Sequence, residues 1–495
     1  MIQDSRIESR QVELCVPDGR PGFRDAVAGA DASVTGVGPT GIAALDPLVT
    51  ATAAGRTAFY ADCSPERAAS VADELTERPI DDAGDPDAVV EHDPDADALP
   101  VPDLAGLGVG RRRVLAGCGW RRPTAPSDHA AAGGFVDAAP DEILAAAEGL
   151  AGRGWGDWRH DEPVAPDWRR ARADDEDVAV VVNAHGSTAD ALLLRSTPFE
   201  VLEGAELLAR AVGADEVVVY VSAADEQAVE RVRAAADAYP APDAPVDVVT
   251  GPPEYRAAEP TMALEAIEGN HRLEARLRPG DGAPGLHDAT ALVHSARTLA
   301  HLAVATRTGE RPTTRLVAVT GDVESPATVE LPETATLDAA LDAVQPTGEV
   351  TAACVGGRFG GLTPSLDVGV APDALAAADL GTEGSVEVLT EDRCVVAVVG
   401  ERAAYAADEN CGRCVPCREG STQLLSLLRD VYDGVYDADA IEELVRVMDA
   451  SSVCAFGVDA GRPARTAIAD FEAEFAAHAD GQCPAGACDT TEDSR

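Results

Sequence analysis

Cys411-Gly412-Arg413-Cys414-Val415-Pro416-Cys417-Arg418-Glu419-Gly420 sets three thiols at two-residue gaps and then opens a helix. A loop with this spacing wraps a corner of an iron-sulfur cube and supplies three of its four iron ligands. The fourth thiol is Cys454, in Ser451-Ser452-Val453-Cys454-Ala455-Phe456-Gly457, with room between for one helix and a return. Gly412 and Pro416 keep the loop out of helix, and the helix beginning at Arg418 can turn its N-terminal amides toward an anionic cofactor. A 4Fe-4S cluster on Cys411, Cys414, Cys417 and Cys454 is the expectation. The alternative is a structural zinc in the same four thiolates, although tetrahedral zinc usually draws on paired C-x2-C arms rather than three thiols in one run.

Outward from this motif the periodicity is helical. Apolar spacing in 421–431, 439–448 and 466–475 follows one helix face, so residues 396–478 form an all-helical cluster domain and 479–495 a Cys-containing acidic tail. Upstream, 316–341 offers a strand, a turn at Gly321-Asp322, a second strand and a helix from Leu337, the outline of a ubiquitin-like β-grasp unit within 313–395. Strands at 178–182 and 216–221 alternate with helices at 203–212 and 225–236, which predicts a mixed α/β domain over 134–312. The acidic, Pro-rich start of 81–133 reads as a linker, and residues 1–80 as a small α/β unit with a hairpin around Gly55 and a helix over 65–75.

The charge balance narrows the setting. With 87 Asp+Glu against 39 Lys+Arg the net charge is -48, and every basic side chain is an arginine. Such a surface suits concentrated salt, which screens the repulsion within a few ångströms; it points to a halophilic cytoplasm and to partial unfolding in dilute buffer. It argues against nucleic acid and anionic membrane surfaces as partners, which need basic patches. No apolar run approaches the length needed to span a bilayer and no leader pattern opens the sequence, so no direct membrane insertion is expected.

Eleven cysteines in a chain of this kind suit metal or redox chemistry better than disulfides. Cys63, Cys354 and Cys394 sit in apolar settings and read as inert core thiols, while Cys15 and Cys118 have no partner at ligand spacing. Cys483 and Cys488, with His478 nearby, either hold a second metal or bind nothing.

The cysteine segment from Glu409 to Gly420 and the later Cys454-Ala455-Phe456-Gly457 resemble the iron-sulfur end of the NADH-binding flavoprotein subunit of complex I and of NAD-linked hydrogenases and formate dehydrogenases, the NuoF-like family. The resemblance extends back over about 141–475 and implies a flavin domain, a soluble-ligand-binding (SLBB-type) β-grasp unit and a helical cluster domain in that order. Gly149-Leu150-Ala151-Gly152-Arg153-Gly154-Trp155-Gly156 is similar to the family's glycine loop, whose glycines admit flavin and nucleotide phosphates. The resemblance implies that Gly152, Arg153, Gly154, Gly156, Asn183, Tyr255 and Glu259 hold FMN or NAD(H).

Departures are specific. The acidic segment facing the nicotinamide nucleotide is reduced to Asn183-Ala184-His185-Gly186, Pro260 replaces a glutamate, and the family's paired asparagines are His294 and Ser295. The N-terminal unit resembles a thioredoxin-like 2Fe-2S domain without its ligand cysteines. Two readings follow: an NADH dehydrogenase-like oxidoreductase subunit passing electrons from NADH via FMN to the cluster and on to other redox subunits or an electron-carrier protein, or a 4Fe-4S relay or scaffold module that has lost NADH and FMN.

Overall fold

Val178-Ala179-Val180-Val181-Val182-Asn183 is apolar on both faces and buried throughout, which places a strand in the middle of a parallel sheet. The computed structural model describes residues 12–174, 176–277 and 284–488, so the outermost part of the acidic tail lies outside the described residues. Within them the strands form three five-stranded sheets, followed by a helical C-terminal region.

The first sheet comprises β1 (Glu13–Pro17), β2 (Ser33–Val37), β3 (Val49–Ala53), β4 (Arg56–Tyr60) and β5 (Ala88–Glu91), in the order β2-β1-β3-β4-β5. The β3–β4 hairpin closes through Ala54 and Gly55, both at positive φ, the conformation that matches the twist of paired strands. The helix Pro65–Glu74, capped by Ser64, seals one face with Val71 over Leu14 and Tyr60. The linker expected from residue 81 is interrupted by β5. Its Ala-Val-Val run satisfies the open edge of β4 despite the acidic, proline-rich surroundings.

The second sheet contains β6 (Val178–Asn183), β7 (Glu216–Ser222), β8 (Val246–Gly251), β9 (Gly285–Leu286) and β10 (Ala289–Ser295), ordered β8-β7-β6-β10-β9. All pairings but β9–β10 are parallel. The helices Thr188–Ser196, Pro198–Val212, Glu226–Ala238 and Ala296–Thr308 cover it. From β6 the chain winds outward through β7 and β8, then crosses back to β10 on the other side of β6. The order therefore reverses between β6 and β10, and at such a switch point the loops diverge and leave a crevice beyond the carboxyl ends of the strands. Asn183 and Ser295 are paired at that rim.

The third sheet is mixed: β11 (Thr314–Gly321), β12 (Ala327–Pro332), β13 (Val350–Val355), β14 (Gly361–Thr363) and β15 (Ser385–Thr390), ordered β12-β11-β15-β13-β14 with β11 and β15 parallel. The helix expected from Leu337 is a 3-10 helix, Leu337–Ala343, tight enough to drop Leu337 and Ala340 onto this sheet. Leu45, Leu48 and Phe59 of the N-terminal unit share that core.

The helices Val395–Glu409, Val415–Tyr432, Ala438–Ser451, Ala455–Asp459 and Arg462–Ala479 complete the chain. They bury Val398, Leu424, Leu428, Val445 and Phe475 against Ala352 and Leu362 of the third sheet. The amide of Leu362 donates to Thr466 Oγ1 at 2.8 Å, fixing the junction. No helix among the described residues is long and apolar enough to cross a membrane.

Candidate functional site: a cleft at the switch point and a cysteine cavity

The crevice beyond β6 and β10 is lined by Trp155, Gly156, His185, Ser187, Tyr255 and Arg297, with Arg358, Glu383 and Arg402 facing them from the third sheet and the first C-terminal helix. Its floor is organised by Asp157, which is fully buried. Oδ2 accepts from the amides of Arg153 (3.0 Å) and Gly154 (2.9 Å) and from Thr298 Oγ1 (3.1 Å). Oδ1 accepts from the Ser295 amide (3.2 Å) and His294 Nδ1 (3.1 Å). One carboxylate thus ties the glycine loop to the end of β10. The indole of Trp168 donates to His294 Nε2 at 2.9 Å, so the imidazole proton sits on Nδ1, facing Asp157.

The residues expected to hold flavin or nucleotide divide sharply. Gly156 and Tyr255 line the cleft. Arg153 does not: its guanidinium turns inward, donating to the carbonyls of Thr314 (2.5 Å) and Pro312 (2.7 Å), and clamps the glycine loop to β11. Asn183 donates to the carbonyls of Gly156 (3.1 Å) and Ala258 (2.8 Å). Glu259 caps the helix Pro260–Ile267, accepting from the amides of Thr261 and Met262. These three polar side chains serve the scaffold, because each found a closer buried partner than the crevice offers. Gly152 is packed against the Arg159 carbonyl, so a side chain there would collide with the protein's own backbone, and Gly154 lies close against Ser295.

Several lining groups were not legible in the sequence. Trp155 stacks on Tyr255 with centroids 4.4 Å apart. Arg297 is held to Asp190 at 2.9 Å and donates to the Glu383 carbonyl at 2.5 Å. Tyr255 Oη donates to Glu383 Oε1 at 3.0 Å. Burial pushes the Glu383 carboxyl up to about 7, with Asp459 adding to the rise and His160 opposing it. Burial and then Glu383 hold the Tyr255 phenol well above its ordinary value. His185 Nε2 donates to the Pro252 carbonyl at 2.7 Å, which leaves Nδ1 as an acceptor; it and Trp155 Nε1 are buried without a hydrogen-bond partner among the described residues.

Behind the aromatic pair lies a small pocket lined by Cys411, Cys414, Cys417 and Cys454, with Met262 and Phe456 on its inner wall. Asn410 Oδ1 accepts from the Gly412 amide (3.0 Å), and Gly412 takes φ +76°, which turns the loop. Cys414 and Cys454 are the N-caps of the helices Val415–Tyr432 and Ala455–Asp459. Cys417 and Cys454 are buried; Cys411 and Cys414 are half-buried.

The spacing of these sulfurs discriminates between metals. Four thiolates on one zinc at 2.3 Å lie roughly 3.8 Å apart, whereas the corners of a cube spread them wider. Among the described residues, no three of these four cysteines have sulfurs all within 4.8 Å of one another. Two other groups do: Cys394 with His478, Cys483 and Cys488, and His129 with Glu200 and Glu203. The second is an internal ion network, with Arg121 on Glu200 at 2.8 Å and Arg307 on Glu203 at 3.3 Å. The first revises the expectation for Cys394, which is no isolated core thiol.

Cleft and cavity share one apolar cluster. Trp155 stacks on Tyr255, Tyr255 meets Phe456 at 6.4 Å and Phe359 at 5.8 Å, and Phe359 meets Phe456 at 4.9 Å. Phe456 then borders the cysteines.

Comparisons with known proteins agree with this arrangement. The family profile "Nuo51 FMN-binding domain" matches residues 148–304, and "NADH-ubiquinone oxidoreductase-F iron-sulfur binding region" matches 397–478. The F subunit of NADH-quinone oxidoreductase from Mycobacterium tuberculosis is 30% identical over 349 residues, 62% of this chain and 77% of that protein. The NADP-reducing hydrogenase subunit HndC of Solidesulfovibrio fructosivorans is 26% identical over 419 residues, 75% of this chain and 84% of that one. The crystal structure of an NAD+-reducing [NiFe]-hydrogenase in the H2-reduced state shares the fold, with TM-score 0.62 at 24% identity over 94% of this chain and 85% of that chain. A crevice at the sheet's switch point, joined by aromatic side chains to a four-cysteine cavity and matched on each side by the corresponding profile, places the chain in the F-subunit family of NADH-quinone oxidoreductases, as an electron-transfer protein with an FMN-binding domain beside a 4Fe-4S binding region.

Proposed function

We propose that the protein takes electrons from NADH in the switch-point cleft and passes them through the aromatic contact to a 4Fe-4S cluster on Cys411, Cys414, Cys417 and Cys454. The observation that carries this reading is the unbroken apolar cluster from Trp155 to Cys417 and Cys454, which brings the two sites together and keeps water from between them. The cleft suits a planar, phosphorylated ligand. Trp155 and Tyr255 offer flat surfaces, the amide end of the helix Thr188–Ser196 and Arg358 supply positive potential, and Trp155 Nε1 and His185 Nδ1 have unspent hydrogen-bonding capacity. FMN bound there supplies the conversion of a two-electron hydride donor into single electrons. The chain's own contribution is orientation: Asp157 fixes the loop, Tyr255 and Glu383 fix the far wall, and the aromatics exclude solvent.

The recipient is another redox subunit or an electron-carrier protein. The names of the relatives, a quinone oxidoreductase subunit and a hydrogenase subunit, support a multi-subunit setting. The third sheet fits an SLBB-type β-grasp unit over 313–395 and the first a thioredoxin-like unit over 1–80; the charge of -48 without lysine supports a halophilic cytoplasm.

The second reading is a cluster-bearing relay module without flavin. It is favoured by the internal engagement of Arg153, Asn183 and Glu259, which leaves few of the expected polar contacts for a nucleotide. Absorption and EPR spectra separate the two. Protein reconstituted without air in molar KCl with iron, sulfide and FMN should retain flavin, and NADH should bleach it and produce a reduced-cluster signal. A cluster reduced only by dithionite, in protein that retains no flavin, establishes the relay.

A further inference from the structure

At the far end of the helical region, distant from the cleft, four side chains with the donor set of a structural zinc site converge. Cys394 Sγ, His478 Nε2, Cys483 Sγ and Cys488 Sγ all lie within 4.8 Å of one another, and Cys394 Sγ is 3.2 Å from His478 Nε2. We propose that Cys394, His478, Cys483 and Cys488 bind one structural Zn²⁺, which fastens the segment after the last helix to the first and last helices of the helical region.

The local structure prepares each ligand. His478 Nδ1 donates to the Glu474 carbonyl at 2.7 Å, which places the ring proton on Nδ1 and leaves the Nε2 lone pair facing the sulfurs, the usual outer contact of a zinc-bound histidine. Cys394 is the N-cap of the helix Val395–Glu409 and accepts from the Ala397 amide at 3.3 Å, where the end of the helix favours a thiolate. The helix Arg462–Ala479 ends in a reversal: the Gly481 amide donates to the His478 carbonyl (2.9 Å) and the Gln482 amide to the Ala477 carbonyl (2.8 Å), with Gly481 at φ +76°. This Schellman-type turn returns the chain toward the helix it has just left, so Cys483 arrives beside His478. A second turn, closed by the Gly486 amide on the Cys483 carbonyl at 3.0 Å, brings in Cys488. Tyr432 Oη lies 3.7 Å from Cys488 Sγ, placed to donate to its thiolate.

Size and donor type select the metal. A set this compact fits one ion and is too small for a cube, the reverse of the Cys411 cavity. Three sulfurs and one imidazole, with no carboxylate in the group, match zinc in a closed tetrahedral site with no open position for substrate. Loading displaces three thiol protons and leaves zinc on three thiolates and a neutral imidazole, a centre of charge -1, with no change of redox state. The fifteen-residue helix Val395–Glu409 separates Cys394 from the cluster loop by about 20 Å at 1.5 Å per residue, so the ion braces the helices and takes no part in electron transfer.

Metal analysis and cobalt substitution on the full chain test this. Protein produced without air in zinc-supplemented medium should carry one zinc per chain besides cluster iron. Cys483→Ser and Cys488→Ser, singly or together, should lose the zinc and keep the iron, while Cys417→Ser should lose iron and keep the zinc. After chelation, Co²⁺ titrated into wild type and into Cys417→Ser should give intense tetrahedral thiolate bands that saturate at one equivalent. If the paired variant folds poorly, the wild-type cobalt spectrum decides alone. Absence of tetrahedral bands, zinc retained undiminished in the tail variants, or a Cys483–Cys488 disulfide mapped in protein kept from air would each overturn the proposal.

Discussion

Replacing Asp157 with asparagine should destabilise the protein by about 1–3 kcal/mol, although the change removes no volume. The carboxylate accepts five hydrogen bonds, three on Oδ2 and two on Oδ1, and is fully buried. An asparagine keeps one acceptor oxygen and substitutes an amide donor for the other. If the amide takes the Oδ2 position, the N–H groups of Arg153 and Gly154 face a donor; if it takes the Oδ1 position, the Ser295 amide and His294 Nδ1 do. Thr298 can redirect its hydroxyl toward Ser295 Oγ, 3.0 Å away, but backbone amides cannot turn. The Arg153 amide keeps Thr298 Oγ1 as a second acceptor at 2.9 Å, so the first orientation strands one buried donor, the Gly154 amide, and the second strands two; the side chain takes the first, at a cost of about 1–3 kcal/mol. Because the glycine loop hangs from this carboxylate, flavin retention should fall with stability. Urea unfolding in molar KCl, with flavin content measured after gel filtration, checks both. A stability within about 1 kcal/mol of wild type, with flavin fully retained, would refute the role assigned to Asp157.

Glu383, with its carboxyl raised from 4.5 to about 7, binds a proton more tightly folded than unfolded. Its contribution is thus complete below about pH 4.5 and lost as pH climbs through 7, at most about 3 kcal/mol. Glu383→Gln keeps an acceptor for Tyr255 and should flatten that part of the stability-versus-pH curve. Phe456→Ala, a truncation at a fully buried wall between cleft and cysteines, should cost about 3–5 kcal/mol and slow flavin-to-cluster transfer in stopped-flow traces. Lowering KCl from molar to about 0.1 M should lower the melting temperature, because the screening length grows to about 10 Å and the charge of -48 repels itself; an unchanged Tm would contradict the halophilic reading.

The cluster motif was legible because its chemistry is local: three thiols in one loop and a fourth after one helix. β6 was legible because burial on both faces leaves an unbroken apolar run. The cleft was not, because its walls come from segments as distant as Trp155, Arg297 and Arg402, and pairing decides which side chains face inward. Arg153 illustrates the limit: its place in the glycine loop suggested phosphate binding, yet the carbonyls of Pro312 and Thr314 were nearer. Cys394 is the converse, an ordinary core thiol in the sequence whose partner His478 is 84 residues away. β5 was missed because a short edge strand needs only a few apolar residues, which the prolines around it disguised.

The four cysteines are unequally exposed, and that asymmetry gives the site a dry side and a wet side. Cys417 and Cys454 press against Phe456 and Met262 in a dry wall, while Cys411 and Cys414 reach toward water beside exposed Arg413 and Arg418 and the protruding Val415. A reduced cluster gains negative charge, which water and guanidinium groups stabilise better than aromatic rings do. A cluster held by these four thiolates would have its negative charge better solvated on the Cys411 and Cys414 side than on the side of the cleft. Exposed Arg413 and Arg418, the latter paired with Glu419 at 3.0 Å, would supply that solvation together with water.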